Sequence, residues 1–586
     1  MAEFLHTDLL QYYKRELVYL RQQGVNFSHR YPKVAGMLAL HGTESPDPHT
    51  ERLIESVAFL AARVHQDLDR EFPQVAAALL ENLCPSLMQP IPSLTIARFS
   101  LDPSQGKVTA GFQIPQHTAL YASADGQQCR FRTTWPTVLW PVTITKAVLE
   151  GGSTLRMTFE CHADTDFSEL EIDSLRLHLQ GDWMTTMPLY EFLVADVVSA
   201  TLTPDHGFAR TLPINSWREV GYAEGENVLP QSPNAQPAYG LMQEYFAFPR
   251  KFHFFDLFNI RAYAGKCRRF DLTLSLAQPA RGVGNLSADN FLLGCTPIVN
   301  IFPKTSEPIV VDHQQFEYLL VADRQRESST EVHSIVSVTA SDPNAERPVL
   351  IPNFAALGHI QTTVKTSFWS SRREPSLRRD ISGTDVFLSF VDQANTLKTP
   401  VEPVVYANLL CTNRRLAEQV PIGARMVAEG ISATASVRCL YEPTSQRNPP
   451  LGSETLWRLV SLLTLNHQSL VDGSTGKDQL REILTLFASD STRDHEQIRG
   501  IKDLQARSVT GRVGHDAWRG YCRGTEVMLA FDEEAFAGSS QLLMSAVLAR
   551  FFALYTSVNS FVQLGVHRGD EVWKQWEPMS GRQLVL

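Results

Sequence analysis

Three short stretches carry residue types from which catalysis is built, and each lacks a necessary member. Cys295-Thr296-Pro297 with Asn300 offers a thiol, but a thiol nucleophile needs a base to deprotonate it, and no paired histidine is identifiable. Cys295 therefore reads as a buried structural cysteine. Gly473-Ser474-Thr475-Gly476-Lys477 resembles the end of a phosphate-binding loop, yet Val471 stands where that loop needs its first glycine. Asp478 stands where a hydroxyl would hold magnesium, so the stretch is expected to be a turn. His495-Glu496 lacks the second histidine of a zinc-protease helix, and no GxSxG stretch occurs. The sequence thus predicts no catalytic residue, no cofactor site and no metal site.

The eight cysteines are scattered without a CxxC pair, which predicts reduced, mostly buried thiols and a cytoplasmic location. Lys and Arg total 53 against 63 Asp and Glu, a formal net charge of −10. Phosphate-tracking surfaces need clustered positive charge. The nearest cluster, Ser370 to Arg373 with Arg378 and Arg379, sits beside Asp380 and Asp385, and is expected to be a solvated loop. Nucleic acid is excluded as a partner on this ground. The chain starts without a basic and then apolar leader, and no stretch reaches the roughly 18 uncharged apolar residues of a spanning helix; no direct membrane insertion is expected.

What remains informative is the patterning of elements. Leu9, Tyr13, Leu17 and Leu20 recur at helical spacing behind a possible cap at Thr7 or Asp8, with Gly24 as a stop. A second helix is predicted from Asp47, with Pro48 at its first position, a stripe of Leu53, Val57, Leu60, Ala61, Val64 and Leu68, and a stop at Phe72-Pro73. Beyond Pro92 the period changes to two. Residues 155–161, 175–179, 270–276 and 386–390 alternate apolar and polar and read as half-buried strands. The middle of the chain therefore reads as antiparallel sheet in sandwich-like or barrel-like modules. After the Pro-rich loop 443–450, helices are expected at 456–470 and 479–487, a strand pair around Val527, Leu529 and Phe531, and a long apolar helix from Ser540 to about Val562. Arg523-Gly524 reads as a strand-entry turn. The rings of Tyr245, Phe246, Phe248, Phe252, Phe254, Phe255 and Phe258 are expected in a core, since consecutive large rings are hard to leave in water.

The fold class is therefore α+β multidomain: a helical N-terminal region (1–92), two β-rich middle domains (93–265 and 266–442) and an α/β C-terminal region (443–586). At 586 residues the chain is too long for a single core.

Ordered blocks along the whole chain resemble the TssF family of type VI secretion baseplate subunits, also called VasA or ImpG. They include Glu16 to Arg21, Tyr31 to Gly36, Asp47 to Val64, Tyr239 to Phe252, Cys295 to Phe302, Leu410 to Arg414, Trp457 to Leu459 with Leu465-Asn466, Arg523 to Val527, and Phe551-Phe552 with Asn559 to Phe561. The resemblance implies a non-enzymatic wedge component of a contractile injection system, with two wing-like middle domains and a C-terminal dimerisation region. It implies two copies binding one TssG, with TssK, TssE and the VgrG spike hub as further baseplate partners, and docking of the assembled baseplate at the inner-membrane complex.

On that basis the first helix, through Leu9, Tyr13, Leu17 and Leu20, is expected to meet TssG, and Leu17→Asp to abolish co-purification. Phe551, Phe552 and Tyr555 are expected to serve self-association, and the helix from Asp47 to bury its stripe in the chain's own core. Two other readings stand beside this one: a wedge protein of a prophage tail or an extracellular contractile particle, and an enzyme of unrecognised class.

Overall fold

The computed structural model describes residues 2–37, 47–102, 109–162, 165–231, 237–280, 282–312, 315–341, 348–354, 367–376, 378, 381–391, 404–431, 435–463, 473–512, 521–558, 560–569 and 571–581. The first helix, Ala2–Arg30, runs through Gly24 and is followed by the short helix Pro32–Met37. The second long helix, Pro48–Leu83, runs through Phe72-Pro73. Neither expected stop ends its helix. An interior glycine costs about 1 kcal/mol and an interior proline about 3 kcal/mol, and tertiary packing offsets both. The two helices lie along each other, while the far end of the second buries Ala76, Leu80 and Cys84 completely in the main core. The start of the second helix follows the sequence: Asp47 accepts the His49 N–H at 3.0 Å and Pro48 takes the first position.

Residues 94–439 supply a closed barrel and four larger sheets. The barrel runs Leu94–Leu101, Cys295–Val299, Gln127–Thr133, Ala119–Ala124, Arg425–Ala428 and Ala435–Cys439 in spatial order. A five-stranded and a four-stranded antiparallel sheet flank it, built mainly from residues 142–293, and a second pair of sheets is built from residues 302–412. Strand Arg269–Leu276 pairs with Thr154–Cys161 and with Val197–Pro204, so hydrogen bonding crosses the position 265/266 where one module was expected to give way to the next. The barrel crosses it again by pairing Leu94–Leu101 with both Cys295–Val299 and Ala435–Cys439.

The largest core is likewise shared between regions. Leu80 of the second helix, Phe159 and Phe270 of the five-stranded sheet, and Leu459 and Leu548 of the C-terminal helices belong to one buried cluster. The sheets of residues 302–412 enclose a separate core around Val338, Leu388 and Leu409.

In the C-terminal region, strands Tyr521–Phe531 and Phe561–Arg568 pair in parallel, and the apolar helix Gln541–Tyr555 makes the crossover that a parallel pair requires. Ser540 caps that helix through the Leu543 N–H at 3.1 Å. Three local expectations change here. The helix stops at Tyr555, because Val562 is taken into the parallel strand. Gly473 to Lys477 is no turn but the first part of helix Gly473–Phe487. Arg523-Gly524 lies within strand Tyr521–Phe531, where a Cβ on Gly524 would stand 2.4 Å from the Phe561 ring; the glycine makes room for an aromatic lid on the strand.

Candidate partner-binding surface

The first two long helices form a hairpin whose inner seam is small and ionic. Ala58 and Ala62 are fully buried, and their lack of bulk lets the helices approach closely. Glu16, buried on the first helix, pairs with His65 at 2.9 Å, and Arg21 pairs with Glu51 through its Nε at 3.1 Å. These two pairs, set along the hairpin, hold the helices in one register.

The seam leaves apolar surface uncovered. Leu53, Val57, Leu60 and Val64, spaced four, three and four residues apart, are 66, 46, 61 and 56 % exposed. One helical face therefore presents four large aliphatic side chains to solvent over about 16 Å, at 1.5 Å per residue. Val18 and Tyr19 of the first helix are exposed as well. Contiguous apolar surface of this kind marks a protein contact.

This arrangement departs from the expectation for the second helix. Leu9, Tyr13, Leu17 and Leu20 are each half-buried, being partly engaged along the second helix. Of the second helix's stripe, expected in the chain's own core, Leu53, Val57, Leu60 and Val64 are exposed and Ala61 is half-buried, while the side chain of Leu68 lies outside the described residues. The reason is the alanine pair: close approach at Ala58 and Ala62 turns the larger aliphatics outward. The sequence does display the Leu53 stripe at helical spacing; what it does not display is which of two apolar faces the partner helix covers.

Phe551 and Phe552 are fully buried in the main core, where their rings meet edge to face and Phe551 lies tilted against Tyr239, and so they offer no exposed surface to another chain. The helix carrying them is mostly apolar, with Leu542, Leu543, Met544, Val547 and Leu548 also buried and Arg550 paired with Glu219, as suits a helix wrapped by sheet and helices. The side chain of Tyr555 lies outside the described residues.

The chemistry-bearing residues are structural in character. Cys295 is buried and its thiol is pushed up to about 12 by desolvation, which keeps it protonated. His253 is pushed down to about 3 by burial, with Arg250 and Arg493 adding to the effect, so it stays a neutral ring inside the aromatic core. Glu244 and Lys251 form a fully buried ion pair, and Glu244 also accepts the Val228 and Leu229 N–H groups at 2.7 and 2.8 Å. That carboxylate ties a loop to a helix. Of the ring block, Tyr245, Phe246, Phe248, Phe252, Phe254 and Phe255 are buried as expected, while Phe258 at its end is only half-buried. No helix among the described residues is long and apolar enough to cross a membrane, and no group of three or more His, Cys, Asp or Glu among them is placed to hold a metal ion.

Comparison with known proteins gives one consistent answer. The family model for the type VI secretion system component TssF matches residues 5–583. The type VI secretion system component TssF1 of Pseudomonas aeruginosa is 31% identical over 616 residues, covering 98% of this chain and 99% of that one. Among solved structures, a chain of the TssK-TssF-TssG baseplate subcomplex superposes with a TM-score of 0.73 at 23% identity, over 91% of this chain and all of that one. A chain of the type VI secretion baseplate complex gives 0.60 at 21% identity, over 97% and 98%. The two structures share the fold described above.

Proposed function

Because the chain belongs to the TssF family of type VI secretion components, we propose that it is a structural, non-enzymatic wedge subunit of the baseplate, and that its N-terminal helical hairpin joins it to TssG. The observation that carries this reading is the uncovered stripe Leu53, Val57, Leu60 and Val64 on a helix whose other end is anchored in the main core. A hairpin built this way is a rigid lever with an apolar edge. The first helix contributes Leu9, Tyr13, Leu17 and Leu20 from the flank, and the second helix contributes the centre of the contact.

In this reading two copies bind one TssG. Two identical chains on one different chain cannot make equivalent contacts, so the same stripe meets two environments or leaves one edge for a neighbouring wedge. Permanent hetero-complexes of this type bury about 2,000 to 5,000 Å² around an apolar centre, and the four aliphatics supply such a centre. One similar chain of known structure occurs in a subcomplex with TssK and TssG; TssK is a partner on that support, and TssE and the VgrG hub follow from the architecture the family implies. The assembled platform sits in the cytoplasm, docks at the inner-membrane complex and supports sheath and tube assembly around the spike. Self-association of the C-terminal region uses its sheet, in which strand Ile501–Arg512 is paired on one side only among the described strands, and does not use Phe551 or Phe552.

Co-expression with TssG, followed by mass measurement of the purified complex, tests the proposal. A mass of two chains per TssG supports it, and the absence of any complex contradicts it.

A further inference from the structure

A cavity of about 830 Å³ opens at the seam between the barrel and the four-stranded sheet, between strand Leu94–Leu101 on one side and strands Ser174–Leu179 and Phe291–Leu293 on the other. We propose that it receives a short peptide segment of a protein partner, one that places a basic side chain beside an apolar one. This site is remote in sequence from the helical hairpin and does not depend on how the hairpin is used.

Three separate features of the lining point to that occupant. The walls are apolar and aromatic, with Trp135, Leu139, Trp140, Leu175 and Leu293 facing the space. The charge is one-sided: Glu171, Asp173, Glu224, Glu226, Asp256 and Asp289 stand against two guanidiniums, Arg98 and Arg176. Part of that set is already committed. Arg176 makes two 2.8 Å bonds to Asp256 and lies 3.5 Å from Glu226, and Glu226 in turn accepts the N–H groups of Gly221, Tyr222 and Ala223. Glu171, Asp173 and Asp289 are exposed and enter no ion pair among the described residues, so the rim keeps uncommitted negative charge over an apolar interior.

The third feature is Trp135. It is 1% exposed, lines the cavity, and its indole N–H has no acceptor among the described residues. Buried donors in folded proteins are nearly always paired, because an unpaired one loses its water without replacement. A peptide supplies all three complements at once: a backbone carbonyl for the indole N–H, an aliphatic side chain for the walls, and a Lys or Arg for the rim. The volume lies within the range of sites that enclose a ligand of that size.

The test uses the full chain labelled with 5-fluorotryptophan and two blocked peptides, acetyl-Leu-Arg-Leu-amide and acetyl-Leu-Glu-Leu-amide, followed by ¹⁹F NMR. The variants W135F and W140F assign the two resonances, and either one suffices if the other variant folds poorly. The arginine peptide is expected to shift the Trp135 and Trp140 signals saturably, the glutamate peptide to leave them in place, and E171Q/D289N to weaken the arginine peptide about fivefold, the loss of two rim ion pairs. No shift up to roughly 10 mM, equal response to both peptides, or undiminished binding by E171Q/D289N each overturns the proposal.

Discussion

The Ser540 hydroxyl donates to Glu191 Oε1 at 2.8 Å and accepts the Leu543 N–H at 3.1 Å. One side chain thereby caps the helix Gln541–Tyr555 and fastens it to the helix Trp183–Ala195 of the flanking sheet module. Burial raises the Glu191 carboxyl to about 7, against the lowering effect of Ser540 and of Arg568. The junction between the C-terminal and middle regions is therefore sensitive to pH near neutrality.

The sign of that sensitivity is fixed by linkage. A carboxyl whose folded pKa lies above its unfolded value binds more protons when folded, so stability is full below about pH 4.5 and declines until about pH 7, where the folded state also ionises. E191Q removes this dependence. It is expected to match the wild type near pH 5 and to exceed it at pH 8 by on the order of 2 kcal/mol, read from urea midpoints at the two pH values.

Lys251 and Glu244 are both buried, and the carboxylate also holds two backbone amides. K251M is expected to cost about 3 to 5 kcal/mol, since it strands a buried negative charge. E244Q/K251M is expected to recover more than half of that loss. Chemical denaturation of both variants checks the difference, and equal destabilisation would show that the charge pair is not what matters.

Gly524 sits under the Phe561 ring, with space for no Cβ. Gly524→Ala is expected to destabilise by about 1 to 3 kcal/mol through overpacking of the parallel strand pair. The same substitution at Gly126, where nothing stands within 4 Å but φ is +72°, carries only the backbone penalty of a left-handed position, about 1 kcal/mol. Thermal melts of the two variants distinguish the causes.

Phe552→Ala is expected to lower the stability of the isolated chain by about 3 to 5 kcal/mol, as a large deletion in a closed core does, without altering how copies associate at temperatures where the variant is folded. Light scattering and denaturation on the same sample separate the two effects. A change in association with no change in stability would return Phe552 to the surface.

Much of this fold was legible because period and punctuation agree with it. Strands at 155–161, 175–179, 270–276 and 386–390 stand out by alternation, and Asp47-Pro48 and Ser540 announce helix starts that the backbone obeys. Stops were less legible. Gly24 and Pro73 break helices by local rules, but packing of residues such as Leu80 in the core overrides them. Pairing between distant strands, such as Leu94–Leu101 with Ala435–Cys439, leaves no local trace and hides the way the modules interlock. Exposed faces are hard to read for a related reason: Phe551 and Leu53 are both apolar residues on helices, and only their neighbours in space decide that the first is buried and the second is not. The cavity beside Trp135 was invisible, being assembled from short segments scattered between residues 98 and 295.

Co-purification of L53D/L60D with TssG tests the central claim most directly. Both positions are more than 60% exposed in the isolated chain, so the variant is expected to keep the wild-type melting temperature while TssG is lost from the complex. L17D is a poorer probe, because Leu17 is half-buried along the second helix. A folded L53D/L60D that still elutes with TssG at the wild-type stoichiometry would contradict the account.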